Sequence, residues 1–540
     1  MDNFLQRNFQ WFLLCGILLN IPGLWLDVMA PDSALYATIA KHIAQHNDWV
    51  NLYGDGHDWL DKPHFPFWAA ALSYKIFGVN GFAYKFPSFI AWLIGIYYTY
   101  KVAEHIFSRY VAQLAVVIYL VALHGVLANF DVRAEAILTT TIIAATWHLI
   151  VAKKKAHHII YAAIWAAMAV MTKGIFVLVT IGAGFVLYWM ICGEWRQFFN
   201  WRWWLFLLLT IVFITPELYC LYTQFDLHPE KVVFGKTNVS GIRFFFWDSQ
   251  FGRFFNSGPI RGTGDKFFFF HTLLWAFLPW SVLLYVACIA LIRRGGVKDN
   301  PVKWILYGSA IITFLLFSLS KFQLPHYIII LFPHFAILVA HYLLTVRLQR
   351  MKKSFAIIQT CVLLLIAIAA IALVYIIKMP LWWLLPVIAV IILVITFLSA
   401  SQELLATAIV RSYAVAAVLY IFLFFFFYPF VLQYQSGRHA AKLVGIRPAG
   451  MYNLYDYDFE FYAPQDVSRL PSIDSFQRFT SKPCAVFMPS RIADSIVQHN
   501  EHAKLAGTFN YFHITELTAD FINPKTRENV TEKRSLVYFY

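Results

Sequence analysis

The chain has 540 residues, of which 60% are hydrophobic, 19% aromatic and only 13% charged. Charged residues make up about a quarter of an ordinary soluble domain, so this composition excludes a soluble globular protein, and the aromatic content excludes a disordered or collagen-like chain. The formal charge of +14 is typical of a membrane protein whose basic residues lie in cytoplasmic loops.

Apolar segments follow one another along most of the chain. A spanning helix needs about 20 mostly apolar residues, and hydropathy with turn signals predicts about thirteen such segments. They lie at 9–29, 81–101, 110–128, 133–152, 158–173, 174–192, 203–223, 271–292, 303–319, 325–345, 354–376, 381–399 and 407–432. We expect the first to be retained as a span, since its apolar run is too long for a cleaved signal peptide. The fold class is therefore a polytopic α-helical membrane protein.

Basic residues predict the orientation. With the N-terminus in the cytoplasm, the inner loops carry Lys101, Arg109 and the triplet Lys153 to Lys155, whereas each short outer connection carries about one basic residue. Three regions then lie on the outer side, at about 27–80, about 224–270 and from about 433 to the end. Because the charge is explained by topology and no surface segment interleaves basic and aromatic residues, we expect no nucleic-acid partner.

The tail predicts a second domain. Strand-like runs (MYNLYDYDFEFYA, PCAVFMP, GTFNYFHITEL and SLVYFY) alternate with a helical run around Ser490 to His499. We therefore expect a transmembrane domain at 1–433, with an interfacial helix in its first outer loop, and a small periplasmic α/β domain at 434–540. Cys484 has no local cysteine partner and the other five cysteines lie in apolar runs, so a disulfide framework is not expected.

The first outer loop begins APDSALYATIAKHIAQHNDWV. Leu35, Ile39 and Ile43 recur at every fourth position, which predicts an amphipathic helix on the membrane surface. Asp32 stands at its start, where an Asp commonly caps a helix. The alternative is a carboxylate fixed at the membrane surface as a base or as a binder of a polar headgroup.

Two further groups of charged residues lie at the predicted outer edge. In WLDKPHFPFW, Asp61 precedes Lys62, which either extends its ammonium to the interface or binds an anionic headgroup. In ANFDVRAEAIL, Asp131, Arg133 and Glu135 crowd together. Mutual neutralisation of Asp131 and Arg133 is the structural alternative to a functional role there.

In order, these motifs resemble a known family. Three pairings in the first loop carry the resemblance, namely Asp32 with Tyr36, Asp48 with Trp49, and Asp61-Lys62-Pro63 with Trp68. Asp131, the turn MTKG at 171–174, WDSQFGRFF and LSKFQLPHYIIILFPHFAIL agree with later family motifs. The chain resembles the GT-C polyprenyl-phosphate-sugar glycosyltransferases, in the bacterial branch that contains the lipid A aminoarabinose transferases and the protein O-mannosyltransferase-like enzymes.

The resemblance implies transfer of a monosaccharide at the outer membrane face. The leaving group would be an isoprenyl phosphate, whose developing charge requires fixed positive charge and hydrogen-bond donors. Lys62 is the first residue expected to supply it. Tyr327, in LPHY, is expected to donate its hydroxyl to the same phosphate, and Arg253 and Lys321 are expected to assist.

The acceptor side is expected to use carboxylates. A hydroxyl acceptor needs a base, which we predict to be Asp32, whereas a phosphate acceptor is already ionised and leaves Asp32 to orient the acceptor or the sugar. Asp131 would bind the sugar or hold Arg133, with Tyr36 and Asp61 also contacting substrate. One-step displacement predicts inversion at the anomeric carbon.

The sequence also departs from part of the family. Where some lipid A transferases have a histidine and a glutamate that are thought to hold zinc, this chain has Gln250 and Asp61. We therefore predict no metal and no cofactor. The expected partners are a polyprenyl-phosphate sugar, an acceptor that is lipid A, another glycolipid or a protein, and the bilayer of the bacterial inner membrane, with the chain acting as a monomer.

A transporter or lipid flippase is the alternative function. Transporters tend to have repeated halves and ionisable residues at the bilayer midplane, whereas the informative charges here lie at the outer edge. That placement favours the enzyme.

Overall fold

The computed structural model describes residues 2–293, 300–346, 349–378, 380–385, 388–390 and 403–540. Helices occupy the positions of the predicted apolar segments, except that most of 381–399 lies outside the described residues. Five are long and apolar enough to cross a membrane, or six if the bent pair Trp201–Phe213 and Thr215–Asp226 is one span. The five are Glu135–Ala152, Pro301–Leu319, Pro325–Thr345, Gln349–Ile377 and Leu404–Leu432. The chain is a multi-pass membrane protein.

The α-helices of the membrane region and first loop are numbered here in chain order. They are α1 (Asp2–Asn20), α2 (Asp32–His46), α3 (Phe65–Phe77), α4 (Gly81–Ile106), α5 (Arg109–Tyr119), α6 (Leu123–Leu127), α7 (Glu135–Ala152), α8 (His158–Lys173), α9 (Val177–Cys192), α10 (Trp201–Phe213), α11 (Thr215–Leu221), α12 (Gly241–Arg243), α13 (Phe268–Ala276), α14 (Ser281–Arg293), α15 (Trp304–Leu319), α16 (Phe332–Thr345), α17 (Gln349–Ile377), α18 (Leu404–Phe422) and α19 (Tyr428–Leu432). π-helical turns lie at Tyr222–Asp226, Phe244–Gly252 and Leu423–Phe427, and 3₁₀ turns at Pro22–Trp25, Trp195–Phe199, Pro301–Lys303, Pro325–Leu331 and Leu381–Leu384.

Proline and glycine account for the main breaks between these helices. Pro216, the second residue of α11, lacks the N–H that would continue α10, and the pair of helices is bent by 40° there. Gly174 ends α8 with a φ of +98°, a conformation that favours glycine. That turn separates α8 from α9 and explains the short, closely joined pair in the sequence.

The first loop contains the predicted helix, which is more buried than expected. Helix α2 buries most of its residues between Ser33 and Ala44, instead of one apolar stripe. Its N-cap is Pro31 with no side-chain cap, so the capping interpretation of Asp32 is wrong. The rest of the loop adds a short antiparallel hairpin, β1 (Tyr53–Gly54) and β2 (His57–Asp58), before α3.

The tail contains a five-stranded mixed sheet in the order β4-β3-β5-β7-β6. Its strands are β3 (Ala449–Tyr452), β4 (Val467–Leu470), β5 (Cys484–Pro489), β6 (Ala503–Tyr511) and β7 (Glu532–Phe539). Strand β3 runs parallel to β4 and β5, while β7 is antiparallel to β5 and β6. The helices of this region are α20 (Ser436–Val444), α21 (Tyr457–Tyr462), α22 (Ile473–Thr480), α23 (Ser490–His499), α24 (Ala519–Ile522) and α25 (Arg527–Val530).

One part of the strand prediction for the tail is wrong. The run MYNLYDYDFEFYA forms strand only as far as Tyr452 and then turns into α21. Asp456 caps that helix, because its carboxylate accepts a hydrogen bond from the N–H of Phe459. A capping aspartate therefore overrides the alternation of aromatic and acidic residues that favoured a strand.

The first loop and the tail are joined by buried polar contacts. The ammonium of Lys41 in α2 donates to the carbonyls of Glu460, Phe461 and Ala463 at 2.9, 3.2 and 2.7 Å. Arg469 of β4 pairs with Asp55 of the hairpin at 2.6 Å and with Glu460 at 3.0 Å. The two regions thus lie on the same side of the membrane helices.

Charge pairing inside the tail generates a stability prediction. Arg534 Nη1 lies 2.7 Å from Asp456 Oδ2, and the Asp456 side chain is fully buried. Burial, together with the neighbouring charge of Asp456, holds the pKa of Asp458 well above its usual range. Removing Arg534 therefore leaves the buried carboxylate of Asp456 without its cation, at a cost of about 3–5 kcal/mol.

We expect the sheet to open more often in the Arg534→Met variant than in the Arg491→Met variant, whose substitution is at an exposed residue. Cys484 is buried in β5 and paired with Phe539 of β7, so its thiol reports separation of these strands. In full-length protein that keeps Cys484 as its single cysteine, labelling by a maleimide should accelerate about 100-fold or more in Arg534→Met. Equal labelling rates in the two variants would contradict this account.

Candidate active site

A cavity of about 140 Å³ opens between the first loop and the membrane helices. Segments far apart in sequence line it, including the loop before α3, the start of α7, the turn after α8, the π-helical segment 244–252 and α15. Most of its wall is apolar. Its charged and phenolic side chains are Asp61, Lys62, Glu135, Lys173, Glu217, Arg253 and Tyr327.

Asp61, Lys62 and Arg253 form one charged group at this cavity. Lys62 Nζ lies 2.7 Å from Asp61 Oδ2, and the guanidinium of Arg253 bonds the other carboxylate oxygen of Asp61. The three side chains are only 13–18% exposed. The buried Nε–H of Arg253 has no hydrogen-bond partner among the described residues.

Burial and charge set the protonation of this group. Burial alone would raise the pKa of Asp61, but the charges of Lys62 and Arg253 outweigh it and lower that pKa to about 2. Burial, helped by the charges of Arg253 and Lys173, outweighs the attraction of Asp61 and lowers the pKa of Lys62 to about 8. The group therefore carries two positive charges and one negative charge at neutral pH.

Glu135, Lys173 and Tyr327 form a second group on the cavity wall. Lys173 Nζ lies 3.0 Å from Glu135 Oε1 and 4.1 Å from the centre of the Tyr327 ring. The side chain of Glu135 is only 3% exposed. Because Glu135 holds the ammonium of Lys173 over the face of the Tyr327 ring, the pair favours this orientation of the ring.

Asp32 and Asp131 lie behind this wall, joined by Arg133. Arg133 Nη1 is 2.9 Å from Asp32 Oδ2, and Arg133 Nη2 is 3.2 Å from Asp131 Oδ2. These carboxylates, with Glu135, hold the pKa of Arg133 above its usual value although burial opposes the shift. The pairing of Asp131 with Arg133, which the sequence left open as the structural alternative to a functional role, is present, and the same guanidinium also holds Asp32.

His326 connects the two groups. Arg133 Nη1 donates to His326 Nδ1 at 3.2 Å, and His326 Nε2 lies 3.7 Å from Glu135 Oε1. Since an arginine only donates, Nδ1 accepts and the proton of a neutral imidazole sits on Nε2, facing Glu135. A continuous chain of polar contacts thus links Asp32 to the cavity.

The predicted site residues separate into two sets in the structure. Asp61, Lys62, Arg253 and Tyr327 line the cavity, while Asp32, Tyr36, Asp131 and Lys321 do not. Tyr36 packs against Trp59 and Phe67, and burial holds its pKa well above the usual range. Lys321 is exposed.

Three polar residues at the site were not assigned a role from the sequence. Lys173 and Glu217 line the cavity, and Glu217 accepts from the backbone N–H of His64 and contacts its ring, both at 3.0 Å. Glu217 could have been found from the sequence, because an acidic residue inside an apolar segment such as 203–223 indicates a functional site. Gln250 lines the cavity as well, and its amide donates to the carbonyl of Lys173 at 3.2 Å.

Comparisons with known proteins agree with this architecture. Residues 61–219 match the family model described as dolichyl-phosphate-mannose-protein mannosyltransferase. A protein of Aquifex aeolicus (strain VF5) is 26% identical over 86% of this chain and 88% of its own length. The undecaprenyl phosphate-alpha-4-amino-4-deoxy-L-arabinose arabinosyl transferase of Edwardsiella ictaluri is 28% identical over 62% of this chain and 59% of its own length. The chain therefore spans about three fifths of that curated relative.

Solved structures extend the likeness to nearly the whole chain. The crystal structure of ArnT from Cupriavidus metallidurans bound to undecaprenyl phosphate aligns with a TM-score of 0.75 at 16% identity, over 98% of this chain and 97% of that one. The same protein in the apo state aligns with a TM-score of 0.72. At this identity the likeness establishes the fold.

Fold and family match together define a membrane protein of GT-C glycosyltransferase architecture. The resemblance seen in the sequence is confirmed, since the chain is similar to ArnT proteins and, over residues 61–219, to the protein mannosyltransferase family.

The turn at Gly174 generates a prediction about the cavity wall. A Cβ at Gly174 would lie 2.1 Å from Gln250 Nε2, whereas a Cβ at Gly182 in α9 would meet nothing within 4 Å. We expect Gly174→Ala to cost about 1–3 kcal/mol through overpacking and backbone strain, and Gly182→Ala to be neutral. Thermal unfolding in detergent should show a lower midpoint for Gly174→Ala alone. Equal midpoints would remove Gly174 as a determinant of the wall.

Proposed function

We propose that the protein is an inverting glycosyltransferase that moves a monosaccharide from a polyprenyl-phosphate carrier to lipid A or to another glycolipid or protein at the outer membrane face. The observation that carries the proposal is one cavity with a mostly apolar wall in which Lys62, Arg253 and Tyr327 meet. An apolar wall suits an isoprenyl chain, and two cations with a phenol suit its phosphate. The names and titles of the relatives, which include undecaprenyl phosphate, support this donor.

Lys62 and Arg253 are proposed to stabilise the carrier phosphate as it leaves. As the bond between the anomeric carbon and the phosphate oxygen breaks, the electron pair goes to that oxygen. Lys62 and Arg253 stabilise the resulting negative charge, and the Nε–H of Arg253, which has no partner within the described part of the chain, is available to donate to it. Tyr327 supplies the third donor.

Asp32 is proposed to serve the acceptor. Its side chain is 44% exposed, compared with 20% for Asp131 and 3% for Glu135, so it is the most accessible carboxylate of these three. A hydroxyl acceptor gives its proton to Asp32 as its oxygen bonds to the anomeric carbon, on the face opposite the leaving phosphate. Attack from that face inverts the anomeric centre. Asp131 holds Arg133 in this scheme.

The topology proposed from the sequence fits this chemistry. About thirteen spans, a cytoplasmic N-terminus, a transmembrane domain at 1–433 and a periplasmic domain at 434–540 place the site on the outer face of the bacterial inner membrane. The contacts of Lys41 and Arg469 support a common side for the first loop and the tail. The protein is proposed to act as a monomer, since the residues above lie in one chain.

The transporter alternative is not favoured. Relatives such as that of Edwardsiella ictaluri are named as transferases, and the charged groups that line the cavity are paired.

Transfer predicts release of free polyprenyl phosphate from a lipid-linked sugar. Purified wild-type protein in lipid extract should release it, and Lys62→Ala should release it about 100-fold more slowly or worse, because a cation at the leaving oxygen is lost. Asp32→Asn should be slowed about 100-fold with a hydroxyl acceptor and much less with a phosphate acceptor. Lys75→Ala, an exposed lysine in α3, is the matched control and should match wild type.

The same assay separates the hypotheses. Release that is undiminished by Lys62→Ala would remove the proposed phosphate site but keep the enzyme. No release from any donor pool by folded wild type with acceptors present would return the transporter to consideration.

The pKa of Lys62 predicts a pH dependence. Lys62 carries its positive charge below its pKa of about 8 and loses it above. We expect kcat/KM for the donor to fall about tenfold per unit at pH values above that pKa. Lys62→Arg keeps its charge throughout this range, so the alkaline fall should vanish in that variant. The same fall in both proteins would show that another group is titrating.

A further inference from the structure

Two histidines and an aspartate come together on the outer surface, away from the cavity. His42 and His46 lie one turn apart near the end of α2, and their ring centres are 4.2 Å apart. Asp466 precedes β4, 420 positions further along the chain than His46, and its Oδ2 lies 2.7 Å from His46 Nε2. One ligand atom from each of the three residues lies within 4.8 Å of the other two.

This spacing is close to what a metal ion requires. Zinc binds imidazole nitrogen and carboxylate oxygen at about 2.0–2.2 Å, so tetrahedral ligand atoms stand about 3.4 Å apart. Two histidines at positions i and i+4 of a helix present their rings on one face, which is the spacing used by helical zinc ligands. His46 and Asp466 are exposed and His42 is half-buried, so the first two side chains have room to adjust.

The surrounding charges favour a cation. The acidic groups of Asp48, Glu460 and Asp466 lie nearby. Asp48 is committed to the N–H groups of Val50 and Asn51 and is not needed as a ligand.

The neighbouring cation Lys41 does not point at the group. The ammonium of Lys41 is turned onto the carbonyls of Glu460, Phe461 and Ala463.

We propose that His42, His46 and Asp466 bind a divalent transition-metal ion of the zinc class, with water in the remaining position. The ion joins the end of α2 to the tail and so clamps the first outer loop onto the tail. Mixed imidazole and carboxylate ligands select zinc-class ions over magnesium or calcium. The clamp stands independently of the proposed transferase activity.

The test is metal binding by full-length protein in lipid nanodiscs, with the purification tag removed and metals stripped by a chelator. Calorimetric titration with Zn²⁺ alone should show one tight site in wild type, and Co²⁺ should give the visible absorption of a tetrahedral centre. Asp466→Asn and the double variant His42→Ala/His46→Ala should weaken binding about 100-fold or more. The double variant His499→Ala/His502→Ala, which removes two histidines elsewhere in the tail, should bind like wild type.

Thermal unfolding gives the second readout. Zn²⁺ should raise the unfolding midpoint of wild type and of the control double variant, but not that of Asp466→Asn, which shows the clamp independently of transfer activity. The proposal is overturned if wild type binds no better than His42→Ala/His46→Ala, or if Zn²⁺ is bound without any change in the midpoint.

Discussion

The burial of two cations against one carboxylate is the constraint on which the cavity depends. Lys62 and Arg253 are largely removed from water, and such charges are unfavourable unless they are paired. Asp61 pairs with both, so the group retains one net positive charge before any ligand binds. Because the geometry is already set by these pairs, an anion entering the cavity requires little reorganisation of the protein.

The group around Arg133 has the opposite net charge. Asp32 and Asp131 share the single guanidinium of Arg133, which leaves one net negative charge, while Glu135 and Lys173 neutralise each other between the two ends. A leaving phosphate is stabilised at the positive end. The sugar gains positive character as its bond breaks, and it is then drawn toward the negative end.

The sequence predicted the parts of this site that lie in local motifs. Asp61 and Lys62 are adjacent, and the apolar segments that carry Glu135 and Tyr327 are unmistakable. Arg253 and Lys173 come from segments whose mutual position depends on packing of the whole bundle, so their pairing with Asp61 and Glu135 was not predictable. The sequence could not distinguish a capping role of Asp32 from a functional one. The position of its side chain depends on the ion pair with Arg133, which is distant in sequence. The strand expected over 453–463 failed because Asp456 makes a helix cap that composition does not reveal.

The position of Asp32 also depends on the far end of its helix. Arg133 fixes one oxygen at the start of α2. Lys41, more than two turns later, ties the same helix to carbonyls at the C-terminal end of α21. A helix held at both ends cannot shift along its axis without breaking buried hydrogen bonds of a charged group, which are worth more than neutral ones. The tail therefore belongs to the scaffold of the site, although none of its residues lines the cavity.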